Sequence, residues 1–151
     1  MTNFGSVTDL LDFAMEREEE AYQFYSDMAK KMKIPSMRKV FEDFAREELG
    51  HKKKLSKIKE GKLLMPTEKK VLDLMIGDYL VDVEPSPYMD YQEALIIAMK
   101  KEKAAFKLYM DLAAATDDPN LQATFQAFAQ EEAKHKLRFE IEYDKYILTE
   151  N

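Results

Sequence analysis

The chain repeats itself. AMEREEEAYQFYSDMA, residues 14–29, aligns without a gap on AMKKEKAAFKLYMDLA, residues 98–113. FEDFAREELGHKKKL, residues 41–55, aligns in the same way on FQAFAQEEAKHKLRF, residues 125–139. Both pairs start 84 positions apart (14 and 98; 41 and 125), and Pro35 and Pro119 share that offset. Self-similarity at one fixed spacing marks a duplicated structural unit. Each unit holds two long segments joined near a proline, so whatever the first unit folds into, the second must fold into as well.

Glycine and proline number only 4 and 5, and they mark the joints. Helix one is expected from about Ser6 to Lys31, with Ser6 as N-cap and Asp9 in an acidic first turn. Ile34-Pro35 ends it. Helix two is expected from about Ser36 to Glu60, stopping at Gly61. Helix three begins after Asp90, with Glu93 as its capping-box partner, and ends near Thr116. Asp118-Pro119 opens helix four, with proline at the tolerated first position, and that helix continues to about Ile147. Between the hairpins, residues 61–89 form a connector: TEKKVLDLMIG is expected to form a short helix and DYLVDVEPSPY an extended stretch. A long connector calls for a reason. A crossover along a helix bundle supplies one, since ~25 helical residues span about 38 Å. The expected fold is all-α: one domain over 1–151, a four-helix bundle made of hairpin one (about 6–60), the crossover and hairpin two (about 90–147).

Each helix carries an apolar stripe in alternating four- and three-residue steps. The stripes are Val7, Leu11, Ala14, Glu18, Ala21, Tyr25, Met28 and Met32; Met37, Phe41, Phe44, Glu48, His51, Leu55 and Ile58; Tyr91, Leu95, Ala98, Glu102, Ala105, Tyr109 and Leu112; and Leu121, Phe125, Phe128, Glu132, His135 and Phe139. Six ionisable residues interrupt them: Glu18, Glu48, His51, Glu102, Glu132 and His135. Both histidines of the chain stand at E-x-x-H spacing, which puts Glu and His on one helical face. Burying four carboxylates together is unfavourable, because each loses hydration and like charges repel. Protonation could offset this; two divalent cations would do so better, matching four negative charges while the imidazoles add nitrogen ligands. One Glu from each of two helices plus Glu-x-x-His from each of the other two is the inward set known for two-metal bundles. The donor types suit iron, manganese or zinc. A metal-free structural bundle would leave the cost of the buried carboxylates standing.

Other residues have plainer readings. Glu16, Glu19, Glu20, Glu47 and Glu131 belong to a solvated face. Tyr25 and Tyr109 are core residues or hydroxyl donors to a ligand carboxylate. Glu142 is a bundle-end residue, its counterpart being Ile58. The 10 methionines are core filler.

Composition bounds the partners. A net charge of −6 and a pI of about 5.1 argue against nucleic acid or an anionic membrane. The absence of cysteine excludes disulfides, iron–sulfur clusters and thiol catalysis within this chain. The start lacks a signal-peptide pattern and no apolar run approaches ~20 residues, so a cytoplasmic location is expected.

The patterns E-x-x-A-x-x-x-Y at Glu18 and Glu102 and E-x-x-H at Glu48 and Glu132 resemble the rubrerythrin branch of the ferritin-like superfamily. The resemblance covers nearly all of the chain. It implies a non-haem di-iron centre with Glu18, Glu102, His51 and His135 terminal and Glu48 and Glu132 bridging. It further implies reduction of hydrogen peroxide to water in defence against oxidative stress, and a homodimer. Ala105 stands where rubrerythrins usually carry an extra glutamate, so the iron movement associated with that glutamate lacks its residue here. Rubrerythrins also usually carry a cysteine-ligated relay domain, which a sequence without cysteine does not supply, so electrons are expected from a separate donor protein. The symmetric six-ligand set is also similar to that of bacterioferritin, which implies iron oxidation and storage. The few residues after helix four, Leu148 to Asn151, speak against that family's cage. A dioxygen-using di-iron oxidase or a di-manganese catalase would use the same ligands.

Overall fold

The computed structural model describes residues 4, 6–61, 74–81 and 89–150. Four long helices account for most of them: α1 (Val7–Lys31), α2 (Pro35–Gly61), α3 (Tyr91–Ala115) and α4 (Pro119–Glu150). Contacts group the chain into two compact units, one holding α1 and α2, the other α3 and α4. In each unit the two helices pack against one another as a hairpin. The joining segments, 32–34 and 116–118, are short, which leaves the second helix little choice but to fold back along the first.

The helix ends show why the boundaries fall where they do. The Ser6 hydroxyl accepts the Asp9 backbone N–H at 3.0 Å, and the Asp90 carboxylate accepts that of Glu93 at 2.8 Å. These caps are 84 positions apart, so the duplication extends to the first turn. Asp118 caps α4, accepting the N–H groups of Asn120 and Leu121 at 2.8 and 3.1 Å. The turns correspond too. Arg38 donates its guanidinium to the Met32 carbonyl at 2.9 Å, and Gln122, 84 positions on, donates its amide to the Thr116 carbonyl at 2.7 Å.

Two boundaries differ from expectation. Pro35 is not outside the second helix but opens it, as Pro119 opens α4. A proline in the first turn forfeits no intrahelical hydrogen bond. Helix α4 runs past Ile147 to Glu150, because no glycine or proline follows Pro119 to stop it. In the connector, the described part is not the short helix over 67–77 that was expected. Residues 74 and 75 are not helical, and Ile76–Tyr79 forms a single 3-10 turn. That turn also takes in Asp78 and Tyr79, expected to be extended. The remainder of those two expectations, 67–73 and 82–88, lies outside the described residues.

The buried faces are wider than the stripes. Leu10, Phe24, Ala29 and Ala45 join the core of the first hairpin, and Ala94, Ile97, Leu108, Ala113 and Ala129 that of the second. A globular helix buries an arc rather than a seam. Met32, Phe44, Tyr91 and Ala105, on the expected stripes, are only half-buried. Aromatic packing repeats between the units: the Tyr25 ring lies 6.1 and 6.4 Å from Phe41 and Phe44, and that of Tyr109 lies 6.4 and 5.3 Å from Phe125 and Phe128. Each fully buried ring or leucine contributes roughly 1.5–3 kcal/mol of transfer free energy.

Candidate metal centre

All six ionisable stripe residues are buried: Glu18 2%, Glu48 1%, His51 4%, Glu102 1%, Glu132 0% and His135 2% exposed. At such values bulk solvent has little access to their lone pairs, so their contacts with one another weigh heavily in their energetics. In the first hairpin the His51 Nδ1 atom lies 3.6 Å from Glu18 Oε1 and 3.9 Å from Glu48 Oε1. In the second, His135 Nδ1 lies 3.4 Å from Glu102 Oε1 and 4.0 Å from Glu132 Oε1. Each hairpin thus assembles two carboxylates and one imidazole whose candidate ligand atoms fall within 4.8 Å of one another. The helices impose this. Glu48 and His51 share a face of α2 at i, i+3, and the packing of α1 on α2 delivers Glu18 to the same level.

The donor chemistry fits a divalent metal. Two hard carboxylates and a borderline imidazole are a set that iron, manganese and zinc accept. A cation would also offset the repulsion and desolvation that two buried carboxylates impose on each hairpin. Spacings of 3.4 to 4.0 Å between donors leave room for an ion among them rather than a direct hydrogen bond between them.

The surrounding acids take other roles. Glu16 and Glu20 flank Arg17 at 3.6 and 3.0 Å on the outside of α1, and Glu47 is exposed. Glu19 accepts from Lys52 at 2.8 Å, and that hydrogen bond holds its carboxyl below the usual range against the opposing effect of burial. Glu131 is half-buried. Tyr25 and Tyr109 are 0% and 1% exposed, their rings packed on the phenylalanines named above.

Two polar contacts were not foreseen. The Tyr91 hydroxyl donates to Glu142 at 3.0 Å, with the Arg138 guanidinium 3.6 Å from the same carboxylate. Their counterparts in the first hairpin, Val7 and Ile58, are both buried and apolar. A pair that changes chemistry together at the 84-residue offset is the signal that could have revealed this contact. The Tyr79 hydroxyl donates to Asp111 at 2.8 Å, fastening the 3-10 turn to α3. Burial, then the bond to Asp111, pushes the Tyr79 hydroxyl above the ordinary phenol range, and burial followed by the Glu142 charge does the same for Tyr91.

Among the described residues no helix is long and apolar enough to cross a membrane. Comparison with known proteins agrees with the geometry. The crystal structure of a Thermotoga maritima protein, described as ferritin-like and diiron-carboxylate, superposes with a TM-score of 0.78 at 21% identity, covering 97% of this chain and 99% of that one. The chain therefore shares the ferritin-like all-α fold. No curated protein matches it at a significant level. The family model for Rubrerythrin matches residues 9–143, a span that takes in all six buried donors. On that match, the chain belongs to the Rubrerythrin family.

Proposed function

We propose that the chain is a non-haem di-iron oxidoreductase that reduces hydrogen peroxide to water. The observation that carries this is the same buried Glu, Glu, His set in both hairpins of a Rubrerythrin-family chain. The two hairpins form one ferritin-like domain in this reading. Glu18, Glu48 and His51 would hold iron in the first hairpin, and Glu102, Glu132 and His135 in the second. A bound pair of ferrous ions would supply the two electrons that, with two protons, convert hydrogen peroxide to two water molecules. The protein's part is to hold the ions without the competing ligation of bulk water. Burial below 5% at all six donors does this. Carboxylates that can bridge or bind singly absorb the change in charge between the reduced and oxidised states. Tyr25 and Tyr109, two turns beyond Glu18 and Glu102 on the same faces, orient the ligand carboxylates through their hydroxyls. Electrons return from a separate donor protein, and the working assembly is a cytoplasmic homodimer.

The test is stopped-flow oxidation of the anaerobically reduced, iron-loaded chain by hydrogen peroxide. The expected outcome is rapid loss of one peroxide for every two irons oxidised, with sustained turnover when an efficient reductant is supplied. Slow peroxide consumption under those conditions would refute the peroxidase reading. The symmetry of the donor sets favours a second reading, a ferroxidase; deposition of many irons per chain driven by dioxygen would establish it. Oxygen evolved from peroxide by a manganese-loaded form would instead indicate a catalase.

A further inference from the structure

The two hairpins keep the same cap on their first helices, the same aromatic contacts and the same buried donors, so a place where they diverge as a group calls for an explanation. One such place is a groove of about 440 Å³ along the outside of the first hairpin. Tyr22, Ser26 and Lys30 line it from α1 at four-residue steps, and Arg38, Glu42 and Arg46 line it from α2 at the same steps. Buried Ala29 and Ala45 form the floor. At the matching positions the second hairpin has the same two alanines, Ala113 and Ala129, but every polar wall residue has changed. Tyr22 is replaced by Phe106, Ser26 by Met110, Lys30 by Ala114, Arg38 by Gln122, Glu42 by Gln126 and Arg46 by Gln130. Two hydroxyls and every formal charge in the groove are missing from the copy.

The wall residues are ordered by the antiparallel packing. Lys30 and Arg38 lie at the end near the α1–α2 turn, Ser26 and Glu42 in the middle, and Tyr22 and Arg46 at the far end. Arg46 is already engaged by Asp43, and Arg38 spends part of its donor fork on the Met32 carbonyl. An ammonium and a guanidinium at one end, in a chain of net charge −6, are a local reversal of sign that suits a compact anion. The carboxylate of Glu42 would repel an anion placed beside it, but it accepts hydrogen bonds from hydroxyl groups. Lys30, Arg38, Glu42 and Arg46 are all exposed, so the groove is open to a ligand.

We propose that this groove binds a phosphomonoester of a small hydroxylated molecule. The phosphate sits between Lys30 and Arg38, and the hydroxyl groups bond to Glu42 and Ser26. The second hairpin supplies its own control. Gln122 makes the turn-capping bond that Arg38 makes, so Arg38→Gln keeps the turn.

The experiment is calorimetric titration of the full chain with glycerol 3-phosphate and, separately, with inorganic phosphate. The wild-type chain is expected to bind both saturably, the ester more tightly. The Lys30→Ala, Arg38→Gln variant is expected to weaken both by about tenfold or more, with unchanged helical circular dichroism and melting. Glu42→Gln is expected to erase the preference for the ester without weakening inorganic phosphate. Absence of saturable binding, or undiminished binding in the double variant, overturns the site. Inorganic phosphate bound as tightly as the ester by the wild-type chain overturns the ligand class.

Discussion

Replacing Glu48 by leucine should raise the stability of the metal-free chain and sharply weaken its response to metal. Glu48 is 1% exposed and shares its surroundings with a second carboxylate, Glu18, about one imidazole. Removing one of the two carboxylates leaves Glu18 3.6 Å from the His51 imidazole and takes one ionisable group out of the buried set. Replacing a set of buried charges by well-packed apolar side chains of similar volume is neutral or stabilising by ~1–4 kcal/mol, and taking out one of two like groups is placed in the lower half of that range. Taking about 2 kcal/mol, and ~2–4 °C per kcal/mol for a chain of this size, Glu48→Leu should melt about 4–8 °C above the chelator-treated wild type. Metal reverses the order. At a free ferrous concentration one hundred times the dissociation constant, the wild type gains about 2.7 kcal/mol, or roughly 5–11 °C. The variant should gain far less. The assay is thermal circular dichroism of both proteins, with chelator and with anaerobic ferrous iron. A metal-free variant that melts below the metal-free wild type would show that the carboxylates stabilise the fold by themselves. An undiminished metal response in the variant would show that Glu48 is no ligand.

Protein purified without added metal should carry about two ions per chain by elemental analysis, as the six buried donors imply, and Glu48→Ala, Glu132→Ala should lose them. Ser6→Ala and Asp90→Ala should each cost about 1 kcal/mol in denaturant unfolding, since both remove the cap of a first turn. Tyr79→Phe should cost about 1–2 kcal/mol and loosen the 3-10 turn, seen as faster amide exchange at 77–80. Because its folded pKa is raised, Tyr79 contributes stability below its ordinary value of 10, and that contribution is lost as pH rises beyond it. Alkaline titration of tyrosinate absorbance should show one late-titrating group fewer in Tyr79→Phe.

Much of this molecule is legible in its sequence because duplication states each message twice. Glu18 alone is an acid on an apolar stripe; Glu18 and Glu102 at one offset, each with a matching Glu-x-x-His partner helix, point to a site. Caps at Ser6 and Asp90 were readable for the same reason, since short polar side chains before acidic first turns have one economical use. Pro35 misled because a proline reads equally as the stop of one helix and the start of the next. The end of α4 was misplaced because nothing chemical distinguishes Ile147 from Glu150 as a last residue. Burial of Leu10, Phe24 and Ala45 depends on how α1 and α2 pack, which a seam drawn on one helix does not contain. The Tyr91–Glu142 bond and the groove beside Lys30 were hidden for the opposite reason: each lies where the two copies disagree.

The donor sets sit deep within their helices. Glu18 follows Val7, the start of α1, by 11 residues and precedes Lys31 by 13, which at ~1.5 Å per residue is about 16–20 Å from either frayed end. Fraying therefore does not reach the donors, and local opening there requires the hairpin itself to part. An ion seated among Glu18, Glu48 and His51 would leave at the rate of that larger opening rather than at the rate of breaking a single bond. Retention would then be a kinetic property of helix packing. Substitutions of Phe41 or Leu55, which supply no ligand atom, would shorten the lifetime of the loaded protein as surely as changes to the ligands.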